Sequence, residues 1–157
     1  MPSSRNIADA VVTLQRAWLF LKQEYNSRYP SDPVVMLTEV HRPAEVQRAY
    51  YAQGRQKLSI VNRLRQGAGL SVISEAENRR KVTFKQPGTS KHEKMPSQAF
   101  DIAFRNPDGT LNWDEKYFDR AARIIRERFP NVTWGADWDR DGRSDDEKFV
   151  DRPHFEV

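Results

Sequence analysis

The 157-residue sequence contains no cysteine. That removes disulfide scaffolds, thiolate metal sites and cysteine nucleophiles together. Histidine is scarce as well: His41, His92 and His154 are the full set. Any metal must therefore be held by these imidazoles and by carboxylates. No stretch approaches the ~18 apolar residues needed to cross a bilayer. The opening Met1-Pro2-Ser3-Ser4-Arg5 lacks the basic and then apolar pattern of a secretory signal. The expectation is a protein made in the host cytoplasm, without stable membrane insertion, that reaches any target beyond the membrane only after permeabilisation. No internal repeat is visible, and the length suits one domain without an added wall-binding module.

What is present is core material and charge. Four Trp, five Tyr and eight Phe in a chain that is 38% hydrophobic are more than a disordered chain carries. The net charge of +4 favours anionic partners in a general way. Nucleic acid is not among the expected partners, because the densest basic run, Arg79-Arg80-Lys81, is short and no basic stripe is interleaved with aromatics.

Periodicity predicts an α+β fold, a small antiparallel sheet packed against helices. Ile7, Val11, Leu14, Trp18, Leu21 and Tyr25 recur in steps of four and three, the stripe of a first helix that Ser4 would cap. Val34-Val35-Met36-Leu37-Thr38 reads as a buried strand and Ala99 to Phe104 as a central one. Pro43 suits the start of a second helix running towards Gly54. A third helix is expected from about Asp114 to Arg128, stopped by Pro130. Residues 55–80 read as a mixed loop or short helical excursion, Val82-Thr83-Phe84 as a weak strand, and Val132-Thr133-Trp134 and Phe155-Glu156-Val157 as short terminal strands.

Two local patterns carry chemistry. Ser90-Lys91-His92 precedes Ala99-Phe100-Asp101, and Asp151-Arg152-Pro153-His154-Phe155-Glu156 lies near the last residue. Two imidazoles and one carboxylate leave a fourth tetrahedral position open, as catalytic zinc requires. His41 is a rival ligand, but Asp101 already completes such an open set.

These motifs resemble the LAS-type, D-Ala-D-Ala-carboxypeptidase/VanY-like metallopeptidases, and most closely the L-alanyl-D-glutamate endopeptidases that include phage endolysins. Further matches are Arg42 with Gln47 in His41-Arg42-Pro43-Ala44-Glu45-Val46-Gln47, then Tyr51-Ala52-Gln53-Gly54-Arg55 and Trp134-Gly135-Ala136-Asp137-Trp138. The sequence departs from the pattern in a longer loop between His92 and Asp101, and in His41-Arg42-Pro43 where relatives have an aromatic residue, Arg and Ser. The resemblance implies that His92, Asp101 and His154 bind Zn²⁺. It implies Asp151 as the general base, Arg42 as the group that stabilises the carbonyl oxygen, and Gln47, Ser90 and Trp138 as substrate contacts. The activity implied is hydrolysis of the L-alanyl-D-glutamate bond of peptidoglycan by a monomeric lytic enzyme. The alternatives are a D-alanyl-D-alanine carboxypeptidase or dipeptidase and a non-catalytic wall-binding or structural phage module.

A second metal pattern is Asp137-Trp138-Asp139-Arg140-Asp141-Gly142. Asp137, Asp139, Asp141, Arg143 and Asp145 occupy alternate positions from the first, with Gly142 at the sixth, as in a Ca²⁺ loop. The twelfth position is Lys148, where such loops place a bidentate Glu. Two readings stand: a Ca²⁺ site of modest affinity, or an acidic solvated loop.

Overall fold

The computed structural model describes residues 2–157. Four helices, α1 (Val12–Arg28), α2 (Ala44–Ala52), α3 (Leu58–Gly67) and α4 (Glu115–Arg128), accompany four strands, β1 (Val34–Glu39), β2 (Ala99–Arg105), β3 (Thr133–Trp134) and β4 (His154–Glu156). The sheet is antiparallel throughout, in the order β1-β2-β4-β3. This is the expected α+β architecture.

Strand alternation divides the sheet into a structural face and a chemical face. Phe100, Ile102 and Phe104 of β2, Val35 of β1 and Phe155 of β4 enter one core with Leu14, Trp18, Leu21 and Tyr25 of α1. Phe118, Ala121, Ile124 and Ile125 of α4 complete it. Asp101, between Phe100 and Ile102, therefore points the other way. The register then aligns Glu39, Asp101 and His154 in one row across β1, β2 and β4, with a bulge between Leu37 and Glu39 at the β1 end. Outside the core, Asp32 just before β1 accepts from Tyr25 Oη of α1 at 2.7 Å and from Arg120 of α4 at 2.5 Å, tying both helices to the sheet.

The helical excursion expected within residues 55–80 is present, and two other expectations need correction. The first helix does not begin at a Ser4 cap: Ile7–Asp9 forms a 3-10 turn capped by Asn6, and α1 starts only at Val12. Ser4 Oγ instead donates to Asp9 at 2.5 Å, so the short polar side chain closes a local turn. Residues 55–80 contain a ten-residue helix, α3. Val82-Thr83-Phe84 forms no strand. The irregular chain after α3 is held by side-chain amides instead of a ladder. Asn62 brackets Ile73 through both N–H and carbonyl, Asn78 accepts from Gly54 N, and Gln47 donates to the Lys85 carbonyl at 2.7 Å. Among the described residues no helix is long and apolar enough to cross a membrane.

Candidate metal centre

The row across the sheet sets Asp101 beside His154, and a turn before β2 brings His92 to them, with one ligand atom of each within 4.8 Å of the others. His92 comes from a 3-10 turn, Lys91–Glu93, fixed by a capping box. Ser90 Oγ accepts from His92 N at 3.3 Å, and the Glu93 carboxylate accepts from Ser90 N at 3.1 Å. His154 and Asp101 are cross-strand partners on β4 and β2.

The imidazoles are oriented from outside. His92 Nδ1 lies 2.8 Å from the Val40 carbonyl, which can only accept, so that nitrogen carries a proton. His154 Nε2 lies 2.8 Å from Glu156 Oε1. The inner nitrogens, His92 Nε2 and His154 Nδ1, face the same oxygen, Asp101 Oδ1, at 3.2 and 3.1 Å. With the outer nitrogens committed as donors, each inner nitrogen holds either a second proton or a metal. Tetrahedral zinc with bonds of about 2.0–2.1 Å sets neighbouring ligand atoms about 3.3 Å apart. The observed separations match that spacing, so the donor set, its orientation and its geometry fit Zn²⁺.

Without metal, Asp101 and His154 form an ion pair beside His92. Burial alone would raise the Asp101 pKa, but His92 and His154 outweigh it and hold the carboxyl well below its usual range. Burial pulls His154 down, yet hydrogen bonds to Asp101 and Glu156 raise its pKa to about 9. A folded pKa above the unfolded ~6.5 means that this pairing stabilises the fold fully below pH ~6.5 and is lost as pH rises through about 9. In chelator, the melting temperature is therefore expected to fall between pH 6.5 and pH 10. A flat or rising profile would contradict the pairing.

Asp151 lies beside the cluster and lines the same cleft. Among the described residues its carboxylate accepts no hydrogen bond. Burial first, then the Asp101 charge, pushes its pKa upward against the pull of His154, His92 and Arg42. Its backbone is locked: Asp151 N donates to the Gly135 carbonyl at 2.7 Å and Asp151 O accepts from His154 N at 3.1 Å.

Arg42 approaches from the loop after β1. Its backbone N–H donates to the His92 carbonyl at 2.9 Å. Its Nε donates to Glu39 Oε1 at 2.8 Å, a second nitrogen reaches the same oxygen, and Nη1 donates to Gln47 Oε1 at 2.6 Å. Burial opposes its charge, but Glu39 outweighs this and raises its pKa. Guanidinium N–H groups remain for the cleft, which Arg42 lines.

The cleft has a volume of about 560 Å³. Ser90 and Trp138 line it. Gln47 does not: it is wholly buried, and its amide is spent on Arg42 and the Lys85 carbonyl, so it props the arginine from behind. His41 stays outside the cluster, its carbonyl accepting from Ser4 N. The sequence reading gave no role to Glu39, the Val40 carbonyl or Glu156, which act through Arg42, His92 and His154. Glu156 alone had a signal, its alternation with His154 on one strand. Phe84 and Phe149, 5.4 Å apart edge to face, form an aromatic wall with Trp138, which stacks on Phe149 at 6.2 Å.

In the acidic loop, Asp137, Asp139 and Asp141 also converge to within 4.8 Å. Asp137 is buried and accepts from Arg126 at 2.6 Å and from the N–H groups of Asp141 and Gly142 at 3.0 Å. Asp145 pairs with Arg143 at 3.2 Å on the surface. Glu147 accepts from Trp138 N at 2.8 Å, so the loop is closed from its eleventh position.

Among curated proteins none matches the chain. Among solved structures, the Serratia marcescens L-Ala D-Glu endopeptidase ChiX shares the fold, with a TM-score of 0.51 and 20% identity over 99% of this chain and 87% of that one. Residues 50–157 match the family described as phage L-alanyl-D-glutamate peptidase. That span holds His92, Asp101, Asp151 and His154, while Arg42 lies before it. With more than two thirds of its length in that match, the chain belongs to the phage L-alanyl-D-glutamate peptidase family.

Proposed function

We propose that His92 Nε2, His154 Nδ1 and Asp101 Oδ1 hold Zn²⁺ for hydrolysis of the L-alanyl-D-glutamate bond of peptidoglycan stem peptides. The observation that carries this reading is the pair of imidazoles whose outer nitrogens are already bound and whose inner nitrogens converge on one carboxylate oxygen. Bound there, Zn²⁺ supplies a Lewis acid and brings the pKa of a water to roughly 7. Asp151 takes the proton of the attacking water and delivers it to the leaving amine. Its upward-shifted pKa suits a base that must hold the proton until the amine departs. Arg42 donates to the carbonyl oxygen as negative charge develops, and its guanidinium cannot lose its own proton. Ser90 and Trp138 contact the peptide. The setting is lysis of a bacterial host by a monomer that meets the wall once the membrane has been permeabilised.

Digestion of purified peptidoglycan with the zinc-loaded protein, followed by mass analysis, is the test. New N-terminal D-glutamate or D-isoglutamate ends are expected. Release of terminal D-alanine would instead assign the carboxypeptidase reaction, and no cleavage by a folded, zinc-loaded protein would favour a binding module.

A second ion is proposed for the acidic loop: Ca²⁺ on Asp137, Asp139 and Asp141. The convergence of their carboxylates and the closure by Glu147 support it. The same segment leads into Asp151 and His154, so the ion would order the metal centre's own backbone. Calcium is expected to raise the melting temperature, and an unchanged melt at millimolar CaCl₂ would leave an acidic solvated loop.

A further inference from the structure

Three lysines, Lys85, Lys91 and Lys148, line the cleft beside the metal cluster. Together with Arg42 they outnumber the lining carboxylates Asp101, Asp151 and Glu156, even before a divalent metal is counted. Among the described residues none of these ammonium groups lies within ion-pair distance of a carboxylate. Lys91 reaches only Gln98 Oε1, at 3.5 Å. Lys91 is half-buried, so its unpaired charge sits where a partner counts for more than it would on an open surface.

The backbones that carry Lys91 and Lys85 are held by neighbouring side chains. Lys91 precedes His92 in the turn held by the Ser90–Glu93 capping box. Lys85 has its carbonyl held by Gln47, whose other end holds Arg42, and its N–H held by Thr83 Oγ1 at 3.2 Å. Glu156 lines the same cleft as both lysines. Two cations carried on held backbone beside the metal cluster are an arrangement that can recognise a nearby anion.

The substrate supplies that anion at the required place. In the stem peptide D-glutamate continues through its γ-carboxyl, so its α-carboxylate is free and is borne by the carbon attached to the scissile nitrogen. Whatever binds that carboxylate must therefore lie within a side chain's reach of the metal. We propose that Lys91, with Lys85 lining the same cleft, receives the free α-carboxylate of the D-glutamyl residue and so selects stem peptides that carry glutamate over those amidated to isoglutamine. This rests on the scissile bond being that of L-alanyl-D-glutamate.

The test is kcat/KM on two stem peptides that differ only in α-carboxylate or α-carboxamide, for wild type, Lys91→Met and Lys85→Met, with zinc content checked for each. Wild type is expected to favour the carboxylate by about tenfold or more, the scale of a charge-assisted hydrogen bond. Lys91→Met should bring the two peptides close to parity, and Lys85→Met should narrow the gap. Equal rates in wild type would overturn the proposal. So would a Lys91→Met enzyme that slows both peptides alike and keeps the ratio, since that would make Lys91 a counter-charge for Glu156. Calorimetric binding of both peptides to Asp151→Asn protein reads the discrimination without turnover. Selective binding with no cleavage by wild type would then fault the scissile-bond reading and leave the carboxylate subsite standing.

Discussion

Asp151→Asn is expected to lower kcat on peptidoglycan by about 10²–10⁴-fold, the range for loss of a positioned general base, while bound zinc stays at the wild-type level. The amide matches the carboxylate in size, and among the described residues no hydrogen bond to the Asp151 side chain is lost. The backbone bonds of Asp151 to Gly135 and His154 do not involve the replaced atoms. The metal triad also keeps its outer supports, the Val40 carbonyl and Glu156. On the proposed mechanism only proton transfer is removed. His154→Ala is the contrasting variant: it deletes a ligand atom and leaves Asp101 Oδ1 with one imidazole, so zinc content and activity should fall together. Measuring both quantities on both variants separates base from ligand. An Asp151→Asn enzyme of near wild-type rate would remove Asp151 from the mechanism, and one that loses zinc would make it part of the metal's support.

The second large effect lies at a residue with no side chain. A Cβ on Gly135 would stand 2.1 Å from the Asp151 carbonyl oxygen, 3.0 Å from its carbon and 3.1 Å from His154 Cβ. The first two are backbone atoms, which cannot rotate away as a flexible side chain would. Gly135 N also donates to the His154 carbonyl at 2.7 Å, and Gly135 O accepts from Asp151 N at 2.7 Å. Trp134 Nε1 pins the same segment through the Arg152 carbonyl at 2.7 Å. A methyl group must therefore push the Asp151–His154 segment off its bonds, displacing base and ligand at once. Gly135→Ala is expected to destabilise the fold by about 1–3 kcal/mol, the usual cost of overpacking. Zinc affinity and activity should also be lost, because catalytic geometry tolerates about 1 Å of displacement poorly. Thermal unfolding, zinc content and peptidoglycan digestion check this in one preparation. Wild-type activity in Gly135→Ala would mean that the segment yields without cost.

Pattern and chemistry were readable along the chain. Strand alternation in Ala99 to Phe104 and the spacing of Leu14, Trp18, Leu21 and Tyr25 belong to local periodicity, and elements formed there, whereas Ile7 and Val11 at the start of the same stripe fell outside α1. Without cysteine, the metal had to fall to His and Asp, and the motif resemblance chose which. Where local signals are weak or competing, tertiary contacts decide the outcome. Ser4 was available as a cap but bonded to Asp9. Val82 to Phe84 had strand composition but no neighbouring strand to pair with, and side-chain amides from Gln47, Asn62 and Asn78 hold the irregular chain there.

Residue types and their order in the sequence thus determined the fold class, and the motif resemblance named the ligand set and the candidate base. Only the tertiary structure decided what each of those groups touches. It set Gln47 behind Arg42 instead of in the cleft, gave Glu156 and the Val40 carbonyl the outer nitrogens of the histidines, and packed Gly135 against Asp151. The reason is physical. Periodicity and residue chemistry act between near neighbours in the chain, whereas these contacts depend on a register between strands and on backbone approaches fixed only when the core closes.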